Sequence, residues 1–376
     1  MKSGVLGLLC FAVLCITLTL GLWPFHSPQN DVTWLNDANG LAFGTHGSVA
    51  SFNVLKAVSS HEGEHGTVEI WVRPVRWRSS ATLVALYRPE YGIQFALRQS
   101  LSDLEVSAEP RTAIGRRRVT NHFYADDALG PALRLKKSVF ITVTCGKQGT
   151  KVYLDGVLAT VKPQFHVDPK AFADRVILGD SPRQPDSFRG QIRGLAIFES
   201  ELNSTQVLQH YNTWQEAGRP VIAKEDRNIA LYLFDEHMGA IISSHTGIAD
   251  RDLNIPGNYQ VIDKIALEPF WKEFDFSRSY WSGNIKNIIG FVPFGFCFSA
   301  YFNLVGHTRK ATLFTIVLGA LVSLTIEILQ AFLPTRDSGT TDIITNTIGT
   351  WIGVASFKFI ARWITQEART ASVIGV

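Results

Sequence analysis

The chain is poor in cysteine, with 4 in 376 residues. Cys10, Cys15 and Cys297 fall in apolar runs, which leaves Cys145 alone in the more polar part. No disulfide can then staple that part internally, and no pair of cysteines has metal-ligand spacing. Cys145 reads as a small buried apolar residue. His46, His61 and His65 likewise have no spacing that forces a metal site. Charge of one sign is lacking too. Lys and Arg total 36 against 33 Asp and Glu, a formal net charge of +3, too small to argue for nucleic acid as a partner. No cofactor is required by any of these residues.

The marks of a cleaved leader are also missing. A signal peptide has a short apolar core and a small-residue cleavage site. Here the apolar run from Gly4 to Trp23 is long and ends Gly-Leu-Trp-Pro-Phe, with no Ala-x-Ala. About 20 residues at 1.5 Å each span roughly 30 Å, one hydrocarbon thickness. The run is expected to stay as a membrane anchor over 4–23, with Trp23 at the interface and Pro24 ending the helix.

What the chain does have is apolar sequence: 46% of residues are hydrophobic, in two separate populations. Three further spans close the chain, drawn at 285–305, 311–332 and 340–361. Each carries polar residues that lipid would not tolerate. Ser323, Glu327 and Gln330 stand at i, i+4 and i+7. Asp342, Asn346, Gly349 and Gly353 stand at i, i+4, i+7 and i+11. Each set lines one helix face, and Gly349 and Gly353 let two backbones approach closely. A carboxylate at bilayer depth costs roughly 2.5–3.5 kcal/mol on insertion scales, so Glu327 is not incidental.

The motifs Asn287-Ile-Ile-Gly-Phe-Val-Pro-Phe-Gly295, Ser323-x-x-x-Glu327-x-x-Gln330 followed by Pro334 and Arg336, and Asp342-x-x-x-Asn346-x-x-Gly349 resemble, in order and spacing, those of the VanZ-like family of bacterial integral membrane proteins. The resemblance covers residues 1–30 and 263–362. It implies a four-helix bundle whose defining positions are these. It also implies an envelope role linked to resistance to the glycopeptide antibiotic teicoplanin, with no settled biochemical activity.

Residues 32–260 are different. Short alternating apolar runs are divided by Gly, Asp, Asn, Ser and Pro, as in an antiparallel all-β domain. Gly66–Pro74 reads as a strand alternating in and out, and Tyr91–Leu97 as another. Val139–Thr144 is followed by a hairpin of Lys151–Leu154 and Val157–Ala159 around Asp155-Gly156, a strong two-residue turn signal. Val176–Leu178 and Ile192–Phe198 add strands, and Leu202–Tyr211 a short helix starting near Leu202 or Asn203. Thr67–Pro74, Val152–Gly156, Leu178–Asp180 and Phe188–Phe198 together resemble the concanavalin A-like lectin/glucanase sandwich in its laminin-G-like form. Ala230–Glu236 looks like the strand that usually opens such domains, yet here it comes last. The resemblance implies fold more than ligand. The expected fold class is thus mixed: an all-β sandwich inserted after the first of four transmembrane helices, with a juxtamembrane linker at 261–284 and a tail at 363–376.

The chemistry divides between these parts. Glu327 is the one catalytic candidate. Asn287, Ser323, Glu327, Gln330, Arg336, Asp337, Asp342 and Asn346 are the binding candidates. Glu327 either meets a ligand or proton in a polar pocket, or holds the bundle together by hydrogen bonds to Asn287, Gln330 or Asn346. Arg336 suits an anion, or else pairs with an Asp across a turn. Asp342 in the first turn of its helix also complements the helix dipole. An enzyme needs Glu327, Arg336 and Asp342 around one cavity, whereas a packing role needs them paired and closed.

In the β domain no strand offers the paired carboxyls of a retaining glycosidase; Glu62, Glu64 and Glu69 are close in sequence, but the first two read as loop. Calcium there would fall to Asp155 and Asp180, which are more simply turn residues. Arg116-Arg117-Arg118 reads as a solvated loop or a contact for anionic headgroups or teichoic-type polymers. Pro269-Phe270-Trp271 and Tyr280-Trp281 read as aromatic anchors at the membrane surface. Lys2, the set His307, Arg309 and Lys310, and the set Lys358, Arg362 and Arg369 place both termini in the cytoplasm and the β domain outside a bacterial inner membrane. The expected partners are membrane lipids and a glycan, cell-wall component or lipoglycopeptide.

Overall fold

The chain divides into two compact units, Pro28–Asp263 and the pair of segments Met1–Ser27 and Lys264–Val376. The computed structural model describes residues 3–55, 65–78, 80–110, 120–125, 132–248, 250–274, 276, 278–306 and 310–374. Lys2, His61, Glu62, Glu64, Arg116–Arg118, His307 and Arg309 lie outside the described residues, as does the side chain of Arg369.

Helix α1 (Ser3–Leu22) opens the chain. The strands of the first unit follow: β1 (Val32–Trp34), β2 (Leu41–Phe43), β3 (Val49–Ser51), β4 (Gly66–Pro74), β5 (Ala81–Arg88), β6 (Gly92–Ser100), β7 (Asp103–Ala108) and β8 (Asn121–Tyr124). Then come β9 (Val139–Gly146), β10 (Gly149–Leu154), β11 (Val157–Lys162), β12 (Arg175–Leu178) and β13 (Gly190–Phe198), helix α2 (Ser204–Ala217), β14 (Asn228–Tyr232), β15 (Ile241–Ile242) and β16 (Leu253–Asn254). They form two eight-stranded sheets. One runs β1-β2-β13-β4-β9-β10-β11, with β14 also on β13, and the other β15-β16-β3-β12-β5-β6-β7-β8. The ladders are antiparallel, and Val68, Ile70, Val72, Ile141 and Val143 of one sheet share a buried core with Leu86, Phe95, Leu97, Leu104 and Val106 of the other. Cys145 is buried in that core.

The late strand has a simple place. β13 is long enough to pair β2 along Gly190–Ile192 and β14 along Leu195–Phe198, on one edge. The segment that follows the sandwich in sequence therefore completes the same edge as the strands that open it. The Asp155-Gly156 turn joins β10 to β11 with φ of 50° and 80°, both in the left-handed region that a two-residue hairpin needs.

β4 departs from the expected alternation: almost all of it is buried. Its outward residues are roofed by α2, where Val207 and Trp214 pack with Trp71, Phe140 and Phe198. α2 starts with a capping box: the Asn203 side chain accepts from the N–H of Thr205 and Gln206, and Gln206 Oε1 accepts from the Asn203 N–H. It runs to Ala217, past the expected end. β5 has no alternation to read, because Ala85 and Tyr87 meet a second apolar cluster on the far face.

The second unit is helical. A short α3 (Phe270–Glu273) precedes α4 (Arg278–Leu304), α5 (Ala311–Gln330) and α6 (Thr340–Ile374). Four helices are long and apolar enough to cross a membrane, with spans at Ser3–Leu22, Tyr280–Leu304, Ala311–Gln330 and Thr340–Glu367. α6 continues past residue 361 because Ala361-Arg362-Trp363-Ile364-Thr365-Gln366-Glu367 holds neither glycine nor proline to stop it. Phe291, Phe294 and Ile326 form the bundle core with Leu14, Leu18 and Val322 around them. Leu8, Phe11, Leu313, Leu321 and Phe359 remain exposed on outward faces.

α4 and α6 touch backbone to backbone. A Cβ on Gly349 would lie 2.2 Å from the Ile288 carbonyl oxygen, one on Gly353 2.2 Å from that of Val292, and one on Gly295 2.0 Å from that of Thr350. Only glycine fits at these three positions. In the segment before α4, Trp271 and Phe276 are exposed by 67% and 84%, as membrane-surface anchors would be.

Candidate functional site

Antiparallel packing brings the C-terminal ends of α1 and α5 to the N-terminal ends of α4 and α6. A cavity of about 380 Å³ opens there. Its lining includes Thr17, Leu20 and Gly21 of α1, Lys286, Asn287 and Gly290 of α4, and Glu327 and Gln330 of α5. Arg336, Asp337, Asp342 and Asn346 complete it. Seven of the eight binding candidates thus line one cavity. The eighth, Ser323, stands one layer behind, where its Oγ accepts from Asn346 Nδ2 at 2.9 Å.

Each polar group also has a local task. Glu327 is almost wholly buried. Its Oε2 accepts the Gly339 N–H at 2.8 Å, and its own carbonyl accepts the Ser338 hydroxyl at 2.7 Å. The chain after α5 therefore folds back onto Glu327, which meets this turn rather than Asn287, Gln330 or Asn346. Arg336 pairs with no carboxylate among the described residues. Its Nη2 donates to the carbonyls of Leu20 and Gly21 at 3.1 and 3.2 Å, and Gln330 Nε2 donates to Gly21 O at 2.7 Å. Both cap the C-terminus of α1, where a cation also offsets the helix dipole. Asp342 is in hydrogen-bonding reach of Asn287, and Asp337 is exposed.

Three supporting residues escaped the sequence reading. Lys264 Nζ donates to the carbonyls of Gln330 and Leu333 and so caps α5; burial holds its pKa down to about 8, against the pull of Asp337 and Glu327. Glu273 Oε2 accepts both the N–H and the hydroxyl of Thr341 at 2.9 and 2.5 Å, fixing the start of α6. Lys286 lines the cavity beside Asn287. A lysine at the head of an apolar span was the available signal for Lys286, while Lys264 and Glu273 sit in a linker with none.

Some capacity is left over. Gln330 Oε1, Asn346 Oδ1 and Arg336 Nε are buried without a partner. With the carboxylates of Glu327 and Asp342 and the side chain of Lys286, the cavity offers acceptors and donors together. It suits a polar head of mixed hydrogen-bonding character.

The sandwich places its candidates in structural roles. Asp155 Oδ1 accepts the Phe140 N–H at 2.8 Å. Asp180 accepts the N–H groups of Ser181 and Asp186 and the Ser187 hydroxyl. Burial, opposed by these bonds, still pushes its pKa up to about 7. Among the described residues no group of three His, Cys, Asp or Glu is arranged to hold a metal ion. Glu69 is buried beside His210, whose Nδ1 lies 3.0 Å from Glu69 Oε2 and whose Nε2 lies 3.4 Å from Asp226 Oδ2. Burial disfavours charge on both Glu69 and His210. For His210 this is outweighed by the hydrogen bond and charge of Glu69, and then by Asp226, so its pKa is raised. A carboxyl group stands at each ring nitrogen, so both N–H groups of a protonated ring would find an acceptor.

A bundle of membrane-length helices with a polar cavity, joined in one chain to a lectin-type sandwich, defines a two-domain membrane protein. Residues 229–361 match the family model VanZ/LLP1 and residues 34–208 that of the concanavalin A-like lectin/glucanases superfamily, so the chain carries a VanZ-like domain and a concanavalin A-like domain. The first match begins inside β14. Protein VanZ of Enterococcus faecium is 33% identical over 92 residues, 24% of this chain and 54% of that one. The chain thus spans about half the length of that relative. Among solved structures, a proposed carbohydrate binding protein from Bacteroides ovatus is similar at 12% identity and TM-score 0.38, over 63% of this chain and 62% of that one. The SAP-like pentraxin of Limulus polyphemus is similar at 11% identity and TM-score 0.36, over 63% and 94%.

Proposed function

We propose that the protein is a non-enzymatic component of the bacterial envelope. Its bundle receives the polar head of an amphiphile in the cavity between α1, α4, α5 and α6, and its sandwich binds a carbohydrate or cell-wall component outside the cytoplasm. The observation that carries this reading is the convergence of Asn287, Glu327, Gln330, Arg336, Asp342 and Asn346 on one cavity, in a domain that matches VanZ. A role in resistance to teicoplanin-type lipoglycopeptides follows from that relationship. Lys310, between α4 and α5, and Lys358 and Arg362, late in α6, lie toward the end of the bundle opposite the cavity. Positive-inside orientation puts that end and both termini in the cytoplasm.

The test is the susceptibility to teicoplanin of cells expressing wild type, Glu327→Gln or Asp342→Asn at matched membrane levels. Loss of protection in both variants supports a ligand-binding cavity. Protection equal to wild type refutes it and leaves the polar groups as internal fastenings.

A second reading, a membrane enzyme acting on a lipid-linked substrate with Glu327 as acid or base, is favoured by one fact: Glu327, Arg336 and Asp342 share that cavity. It requires Glu327→Gln to abolish turnover while binding of the same amphiphile persists.

A further inference from the structure

α2 covers the outer face of the first sheet from Gly194 onward, where Trp214 lies against the glycine. The other half of this face carries arginines. Arg189, Gln191 and Arg193 alternate along β13 and its approach, with Phe188 and Ile192 turned into the core. Gln191 stands opposite Arg73 of β4. The segment after β4 adds Arg76 and Arg78. Arg76, Arg189 and Gln191 border a depression of about 460 Å³ that also includes Gly44 and Val75.

These guanidiniums differ from three others in the sandwich. Arg88, Arg98 and Arg183 each hold a carboxylate at 2.5 to 3.4 Å. Among the described residues Arg73, Arg76, Arg78, Arg189 and Arg193 hold none. Arg73 Nε instead donates to the Lys136 carbonyl, and Arg193 Nη2 to Gln191 Oε1. The Nε groups of Arg189 and Arg193 are buried with no acceptor. Burial and then the charges of Arg78 and Arg76 lower the pKa of Arg189, and burial and then Arg73 lower that of Arg193. The cations therefore crowd one another in two groups, Arg189 with Arg76 and Arg78, and Arg193 with Arg73. Asp31, the acid whose charge reaches Arg189, makes no ion pair with it and accepts the His46 N–H instead. Repulsion of this kind, with no ion pair to offset it among the described residues, is what an anion relieves.

We propose that this stripe is a binding site for an anionic envelope polymer, whose phosphate or carboxylate groups are taken by Arg76 and Arg189 in the depression, by Arg78, whose charge reaches Arg189, and by Arg73 and Arg193 along the strand. The inference deepens the reading of the sandwich as an outward-facing carbohydrate- or wall-binding domain and rests on it. A polymer fits better than a lipid surface for two reasons. The charges follow a strand, with Arg189 and Arg193 roughly 13 Å apart at about 3.3 Å per residue, which matches repeated charges along a chain. The depression is concave, and a flat bilayer does not enter it. Trp77, 40% exposed between Arg76 and Arg78 in the chain, offers a ring for a sugar face.

The experiment uses the full chain in nanodiscs of phosphatidylcholine. Binding is measured to poly(glycerol phosphate), to polygalacturonate, to neutral dextran, and to vesicles of phosphatidylcholine with phosphatidylglycerol. Wild type is compared with the triple variant Arg76→Gln, Arg78→Gln, Arg189→Gln and with the corresponding triple Lys variant, after their melting curves are matched. One or both anionic polymers should bind wild type more tightly than dextran does, with an affinity that falls as salt rises. The Gln variant should lose roughly tenfold or more in affinity, and the Lys variant should keep charge but lose the forked contact and fall between. Preference for one polymer identifies phosphate or carboxylate as the recognised group. Equal binding by the Gln variant, or no polymer binding by wild type, overturns the proposal. Arginine-dependent binding of vesicles alone overturns it in favour of a membrane contact. Dextran binding that persists through these failures leaves the carbohydrate reading intact.

Discussion

Replacing Gly353 by alanine should loosen the bundle, and the size of the effect follows from the α4–α6 seam. A methyl there would stand 2.2 Å from the Val292 carbonyl oxygen and 2.6 Å from the Phe296 nitrogen. Both are backbone atoms and cannot swing aside. Ordinary contact begins near 3.4 Å, so the two helices must part by about 1 Å along the seam. Overpacking of this kind costs about 1–3 kcal/mol, partly offset by the roughly 1 kcal/mol that alanine gains over glycine in a helix. Gly283, also within α4, has nothing within 4 Å of its would-be Cβ. There the same substitution keeps only the gain, about 0.5–1 kcal/mol. Reversible unfolding in mixed micelles, followed by tryptophan fluorescence, reads both. Gly353→Ala should lower the midpoint and Gly283→Ala should raise it. Opposite signs are the essential result; a Gly353→Ala protein as stable as Gly283→Ala would refute backbone contact between α4 and α6.

Other perturbations separate structural tasks from bystanders. Arg336→Met removes two hydrogen bonds to the end of α1 and should cost about 1–3 kcal/mol in the same unfolding assay, whereas Asp337→Asn, at an exposed position, should stay within about 0.5 kcal/mol. Trp214→Ala empties the contact with Phe140 and Gly194; a loss of about 3–5 kcal/mol should appear as a fall in the sandwich melting temperature of roughly 10 °C. His210 has a raised pKa in the fold, so its contribution is complete below its unfolded pKa of about 6.5 and is lost as pH rises through the folded value. The melting temperature of wild type relative to His210→Gln should therefore decline from pH 6.5 upward, and a difference that is flat or grows with pH would contradict the raised pKa.

The residues that wrote themselves into the sequence did so by period. Ser323, Glu327 and Gln330 announced one helix face and Asp342 and Asn346 another, and α5 and α6 turn those faces together, so that all but Ser323 line one cavity and Ser323 bonds Asn346 behind it. The Asp155-Gly156 hairpin was equally legible, since its backbone angles admit few residue types. What period could not show was the second covering of a strand. β4 looked half-solvated, and only the arrival of α2 from over a hundred residues later explains why Glu69 is buried and Trp71 partly so. β5 went unnoticed because a strand buried on both faces has no alternation. Roles set by the backbone were hidden for a different reason. Nothing in the letters Lys264, Glu273 or Arg336 says that each will seek the end of a helix, because helix ends recruit whatever charge the turn delivers. The arginine stripe was invisible as well, since Arg73, Arg189 and Arg193 become neighbours only through the pairing of β4 with β13.

The fastening of α1 has a consequence for the order of assembly. Its C-terminal carbonyls are held by Gln330 and Arg336, 309 to 316 positions further along the chain. At about 5–20 residues per second of synthesis, the first helix waits roughly 15–60 s before its partners exist. In that interval the sandwich, whose strand ladders lie wholly between Val32 and Asn254, can complete itself. The cavity is then the last feature of the molecule to be made, and a chain that stalls before α6 would hold a finished sandwich and three membrane-length helices but no closed cavity lining, since Asp342 and Asn346 come with α6.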